Sequence, residues 1–107
     1  MAFSLSYYDV VKTDIIEAKD WYKSQRAGLE KIFALEVKNC IHRLQKNPLN
    51  YEIKYKNVRT AFTAIFPYAV HFYIDDTKQQ IVIIAIIHQS RNPDLHTAGT
   101  AINSFDI

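Results

Sequence analysis

The sequence predicts an α+β fold in the order βααβββ, with one mainly antiparallel sheet and an αα-hairpin packed on one face. Two observations carry that prediction. Apolar residues recur at helical spacing through two consecutive segments, Val10–Gln25 and a second that begins at Leu29 and stops before Asn47-Pro48, parted by Gly28. After Asn47-Pro48 the pattern changes to runs rich in β-branched and aromatic residues, bounded by turn-forming ones.

Phe3–Tyr8 alternates, with Phe3, Leu5 and Tyr7 on one side and Ser4, Ser6 and Tyr8 on the other, as a short strand requires. Asp9 follows as a candidate helix cap, its carboxylate placed to accept from free first-turn amides. In the first helix Val11, Ile15, Ala18 and Tyr22 form one stripe, and Lys12, Asp14, Lys19, Asp20 and Lys23 mostly point elsewhere. In the second, Leu29, Phe33, Val37, Cys40 and Leu44 keep steps of four, four, three and four. Pro48 stops it, because proline cannot continue the hydrogen-bond ladder and biases the residue before it away from helical angles. Two adjacent amphipathic helices need a common surface to cover.

Tyr51–Lys56 is a weak strand candidate, and Val58–Phe66, Tyr68–Asp75 and Ile81–His88 are strong ones. Pairing Asp75 with Gln80 sets Ile74 against Ile81, Phe72 against Ile83, Val70 against Ala85 and Tyr68 against Ile87, an unbroken apolar face for the helices. Pairing Ile65 with Ala69 extends it by setting Phe62 against Phe72. The opposite face then collects Arg59 near Asp75, Thr63 near His71, and Tyr73, with His88 at the strand end. Val82, Ile84 and Ile86 share that face and need cover from residues 95–107 or from another protein.

A chain of 107 residues, 49% hydrophobic, corresponds to one domain, taken as 1–107 with a C-terminal tail from about 96. The net charge of +2 is too mild to argue for nucleic-acid binding by itself. A single cysteine, Cys40, excludes an intrachain disulfide and reads as core filler on the buried helical stripe. With no apolar run of bilayer length and no leader pattern, the expectation is a cytoplasmic protein with no membrane association. His42, His71, His88 and His96 lack ligand spacing, and no phosphate-binding glycine loop is present, so neither a metal nor a cofactor is expected.

Ala18 with Trp21-Tyr22, Gly28-Leu29 before Phe33, Asn47-Pro48 with Tyr51, Val58-Arg59, Phe66-Pro67-Tyr68, and the ending His88-Gln-Ser-Arg91-Asn-Pro93 occur in that order from about Phe3 to His96. This pattern resembles the RelE/ParE toxin superfamily of bacterial type II toxin–antitoxin pairs, nearer ParE than RelE. The resemblance implies the βααβββ fold, a cognate antitoxin as partner, and one of two activities. RelE-like members cut mRNA at the ribosome without a metal, and ParE-like members poison DNA gyrase; a degenerate toxin fold would keep only antitoxin binding.

Metal-free RNA cleavage needs proton-transfer groups and cations for the phosphorane charge. The candidates are Lys54, Arg59, Arg91 and His96, the last about where the family's C-terminal aromatic or His would lie. Candidate antitoxin- or target-binding residues are His71, Tyr73, Ile84, Ile86, His88 and Arg91. Arg59 alternatively pairs with Asp75 across strands, His71 alternatively serves as a sheet residue, and His88 alternatively caps its strand. Lys54 and Lys56 read first as solvated surface charge. One departure weighs against the nuclease: Ala69 stands just after Tyr68, where RelE-like enzymes often carry arginine. The chain thus leans toward the gyrase-binding branch.

Overall fold

The computed structural model describes residues 3–90 and 101–102. The elements run β1 (Ser4–Tyr8), α1 (Asp9–Gln25), α2 (Leu29–Lys46), a 3-10 turn (Pro48–Asn50), β2 (Ile53–Tyr55), β3 (Val58–Phe62), β4 (Tyr68–Asp75), β5 (Gln80–His88) and β6 (Ala101–Ile102). The strands form one sheet in the order β2-β3-β4-β5-β1-β6. All neighbours are antiparallel except β1 and β5, which are parallel because the helical hairpin intervenes between β1 and the rest of the sheet.

The helices form where the apolar spacing places them. Val11, Ile15, Ala18 and Tyr22 of α1 and Phe33, Val37, Cys40, Ile41 and Leu44 of α2 are all buried in one core with Tyr7, Val70, Phe72, Ile81 and Ile83 of the sheet. Fully burying a side chain such as Phe33 or Phe72 contributes about 1.5–3 kcal/mol relative to exposure. Gly28 takes φ +98, a left-handed conformation that lets the chain reverse between the helices. Asp9 is not the cap of α1: Tyr8 occupies that position without a side-chain bond, and Asp9 instead places its charge in the first turn, the positive end of the helix.

An aromatic group stitches the layers together where the hairpin meets the β3–β4 loop. Phe33 of α2 stacks on Tyr22 of α1 at 5.2 Å and meets Phe66 and Tyr68 edge-on at 5.4 and 5.0 Å. Such pairs add about 0.5–1.5 kcal/mol each beyond area burial.

Two registers differ from expectation, and both redirect site residues. Between β4 and β5 the pairs Asp75–Gln80, Ile74–Ile81 and Phe72–Ile83 stand as expected, but His71 then pairs with Ala85 and Val70 with Ile86. Ile84 is therefore an extra residue in β5, a bulge. Beyond it the strand changes phase, so Ile86 turns inward to the helical core instead of outward. In β3 the pairs are Arg59–Phe72, Thr60–His71, Ala61–Val70 and Phe62–Ala69, three positions from the expected register. That odd shift flips every side chain. Ala61 is in the core, and Phe62, expected inside, is 50% exposed.

The cause of the second shift is a longer connection. Residues 63–67 form a folded loop in which the Thr63 hydroxyl donates to the Phe66 carbonyl at 2.5 Å and its amide to the Tyr68 carbonyl at 3.0 Å. Glu36 of α2 clamps the same loop from outside, accepting from the Ala64 and Ile65 amides, both at 3.0 Å. These contacts drive Phe66 into the core and present Pro67 and Tyr68 at the surface.

The face of the sheet away from the helices is largely buried. Val82, Ala85, Ile87 and His71 are buried, and Ile84 is half-buried. The expected open apolar patch on Val82, Ile84 and Ile86 is therefore not found: one is covered, one is partly covered, and one faces the opposite way. Among the described residues no helix is long and apolar enough to cross a membrane.

Candidate functional site

The end of β5 carries the most organised group of exposed functional side chains. Tyr68 and His88 are cross-strand partners, their rings edge-to-face at 5.6 Å. Trp21 and Tyr22 of α1 approach from the helical side, themselves edge-to-face at 5.0 Å. Together with Pro67 these residues line a surface cleft of about 420 Å³. The indole of Trp21 is 57% exposed, although a large aromatic ring has more to gain from burial than almost any other side chain.

His88 is oriented by the residue two positions on. The Ser90 backbone amide donates to His88 Nδ1 at 3.2 Å, and the Ser90 hydroxyl lies 2.8 Å from the same nitrogen. An amide can only donate, so Nδ1 is the acceptor and a neutral ring carries its proton on Nε2. The strand end itself is anchored by the Gln89 amide bonding to the Pro67 carbonyl at 2.8 Å. The cleft thus combines aromatic walls with the His88 Nε2–H donor on a fixed support. It suits an apolar or planar group flanked by an acceptor.

The second candidate region is the outer sheet face. His71 is buried and not exposed as expected; its Nδ1 lies 3.1 Å from the Tyr55 hydroxyl, and the two rings tilt against each other. Tyr73 is half-buried, and its phenol is pushed above the usual range by burial first and then by hydrogen bonding to Tyr8. Ser6 and Thr60 bury their hydroxyls on this face without a hydrogen-bond partner. A contact surface made of His71, Ile84 and Ile86 does not assemble, because the bulge turns Ile86 into the helical core and His71 is buried.

Of the expected cation set, Lys54 and Arg59 lie within the described residues, and those two have separate partners. Arg59 faces the helical side, where its guanidinium donates to the Tyr51 carbonyl at 2.6 Å. It stands opposite Phe72 rather than Asp75, so neither the cross-strand ion pair nor a place beside His71 is available to it. Lys54 lies on the edge strand β2, ion-paired with Glu52 at 3.4 Å with both side chains substantially exposed. Such a pair contributes about 0–1 kcal/mol. Ala69 is buried opposite Ile87 and Phe62. Arg91 and His96 lie outside the described residues.

Cys40 matches its reading as core: it is buried, its thiol is pushed up by burial, and Sγ lies 3.6 Å from the Phe62 carbonyl. Among the described residues no group of three His, Cys, Asp or Glu side chains is arranged to hold a metal ion.

Two features that position the site are not evident in the sequence pattern. Helical spacing groups Asp14 with the outward charges, but its carboxylate is buried and accepts from the Ile86 amide at 3.0 Å. Its position between Val11 and Ala18 on the apolar stripe was the available signal. Trp21 falls one residue off that stripe, which is how helical spacing marks an exposed aromatic.

Comparison with known proteins follows the same lines. Residues 6–93 match the family model described as the ParE toxin of the type II toxin–antitoxin system, parDE. The fold is similar to a chain of the chromosomal ParDE toxin–antitoxin system from P. aeruginosa, with TM-score 0.69 and 18% identity over 81% of this chain and 96% of that one. It is also similar to a chain of the RelBE2 toxin–antitoxin complex from Mycobacterium tuberculosis, with TM-score 0.60 and 16% identity over 82% of this chain and 99% of that one. A sequence comparison with curated proteins gives no match.

Proposed function

The chain belongs to the ParE toxin family of type II toxin–antitoxin systems, and from that premise we propose that it arrests growth by binding DNA gyrase, with a cognate antitoxin neutralising it. The observation that carries the choice of target is that Lys54 and Arg59, the two nuclease candidates among the described residues, are each engaged by a different partner. Nuclease chemistry without a metal needs preorganised positive charge around one phosphate, and loss of a single such donor costs about 10²–10³ in rate. Here Arg59 is committed to the Tyr51 carbonyl on the helical side, Lys54 to Glu52 at the sheet edge, and Ala69 occupies a position where nucleases of this fold often carry arginine. An inhibitor that works by binding needs no such convergence. It needs a firm, partly apolar contact surface, and the cleft of Trp21, Tyr22, Pro67, Tyr68 and His88 offers one. Arg91, three residues after His88 in sequence, stays a candidate contact residue in this reading.

The antitoxin assignment is supported by the structural neighbours, both of which come from toxin–antitoxin systems. A supercoiling assay with purified gyrase tests the target. Inhibition by the chain, relieved by the product of the adjacent open reading frame, is the expected result. Primer extension on cellular mRNA after induced expression is the counter-test: breaks at codon boundaries would transfer the chain to the nuclease branch.

A further inference from the structure

Charge is distributed unevenly in a way that the toxin reading does not use. From Val37 to Ile74 the chain carries six Lys or Arg (Lys38, Arg43, Lys46, Lys54, Lys56 and Arg59) against one carboxylate, Glu52. That carboxylate is already engaged by Lys54. The remaining positive charge in this segment has no acidic counterpart within it.

The fold gathers part of that charge around one depression. Where α2 ends and the 3-10 turn begins, Arg43, Lys46, Asn47, Asn50 and Tyr51 line a pocket of about 360 Å³. The lining contains two cations and two side-chain amides, and no carboxylate. Arg59, outside the lining, donates to the carbonyl of Tyr51, which occupies that acceptor and brings a third cation next to a lining residue. Among the described residues neither Arg43 nor Lys46 forms an ion pair.

The local sequence explains the arrangement. Arg43 and Lys46 occupy the last turn of α2, where a cation interacts favourably with the free carbonyl end of the helix. The chain then turns sharply, because Asn47 leaves helical geometry, donating its amide to the Arg43 carbonyl, and Pro48 starts the 3-10 turn. This brings Asn50 and Tyr51 back beside the two cations. Guanidinium and ammonium groups next to amide donors form a donor-rich site, which is the complement of a tetrahedral oxyanion.

We propose that this pocket binds phosphate, carried either by a free nucleotide or by a phosphodiester backbone, with Arg43 and Lys46 supplying the charge and Asn47 and Asn50 the neutral donors. The site lies apart from the Trp21–His88 cleft, and it stands whether or not gyrase is the target. Phosphate is preferred over a carboxylate ligand because the lining carries four donor side chains, and a tetrahedral anion presents more acceptors, in more directions, than a planar one.

The test is an NMR titration of the full chain, followed through the side-chain amide signals of Asn47 and Asn50, with four probes: pyrophosphate, ATP, a single-stranded DNA 12-mer and a poly-glutamate peptide. Saturable shifts at both asparagines with pyrophosphate are expected, and Arg43→Gln with Lys46→Gln should weaken the affinity at least about tenfold. The variant's circular dichroism and urea midpoint, which exposed substitutions should leave unchanged, separate lost binding from lost fold. Tighter saturation by ATP than by the oligonucleotide assigns the phosphate to a nucleotide, and the reverse order with steep salt dependence assigns it to a backbone. No saturable shift, unchanged affinity in the double variant, or preference for poly-glutamate would each overturn the proposal.

Discussion

The carboxylate of Asp14, in the second turn of α1, accepts the backbone amide of Ile86 at 3.0 Å, just past the β5 bulge. A bulge interrupts the hydrogen-bond ladder and leaves backbone groups seeking partners. Asp14 supplies one from another layer, and in doing so ties the helix to the strand that carries His88. Asp14→Ala leaves a buried amide unsatisfied and should destabilise the fold by about 1–3 kcal/mol. Urea denaturation measures this, and Asp14→Asn, which keeps an acceptor oxygen, should fall between the variant and the parent. A midpoint unchanged in Asp14→Ala would mean that the bulge does not depend on this contact.

Glu36 has the corresponding role on the other side of the cleft. One carboxylate oxygen holds the Ala64 and Ile65 amides, and the loop that it holds presents Pro67 and Tyr68. Glu36→Ala should cost only about 1 kcal/mol, because both amides can turn to water, but it should speed hydrogen exchange at residues 64 and 65. Glu36→Gln retains one acceptor and should restore most of the protection. Equal exchange in all three proteins would remove Glu36 from the account of how Tyr68 is positioned.

Gly28 sits at φ +98 with open space where a Cβ would be, so backbone strain alone opposes substitution there. Gly28→Ala should destabilise by about 1–2 kcal/mol, and Gly28→Asn by less, since asparagine tolerates the left-handed region better. The ranking in urea midpoints is the check; alanine equal to glycine would contradict the backbone geometry.

Glu30 ties the same turn to pH. Its carboxyl is held below the usual range by hydrogen bonding to its own backbone amide first and also by the Gly28 amide, whose distance to Oε1 is 2.7 Å. A lowered folded value means that the unfolded chain binds the proton more readily, so acid favours unfolding. The contribution is fully present above the ordinary carboxylate value of 4.5 and is lost as pH falls through the lower folded value. Glu30→Gln should therefore be less stable than the parent at pH 7 and indistinguishable from it well below that range. A difference that persists unchanged into acid would assign the effect to packing.

Why some of this was readable in the sequence and some was not follows from which residues set each feature. The helices are determined by local spacing, and every residue of the Val11–Tyr22 stripe is in the core. The turn between β4 and β5 is equally local, so Asp75 meets Gln80 as expected. The bulge at Ile84 was hidden because Ile83–Ile87 is apolar throughout, and a uniform run contains no alternation to mark a change of phase. The β3 register depends on Glu36, a residue 28 positions before Ala64, and on the folding of Phe66 into the core. Neither is visible in the strand's own pattern. Arg59 and Ile86 were misdirected by these two non-local events, whereas His88, at a strand end next to no bulge of its own, stayed at the surface.

The tautomer of His88 gives the most direct test of the cleft. With the Ser90 amide donating to Nδ1, a long-range proton–nitrogen spectrum at neutral pH should show the ring proton on Nε2. That leaves a fixed donor beside the 57%-exposed indole of Trp21, and the two residues should behave alike when removed. Trp21→Ala and His88→Ala change surface groups, so each should stay within about 0.5 kcal/mol of the parent in stability. If the cleft is the contact surface of the toxin, truncating its central aromatic should weaken binding by about 2 kcal/mol or more, roughly thirtyfold, with a matching loss of growth arrest on induction. A proton found on Nδ1 would undo the donor assignment. Full growth arrest by both stable variants would move the contact surface away from the β5 rim.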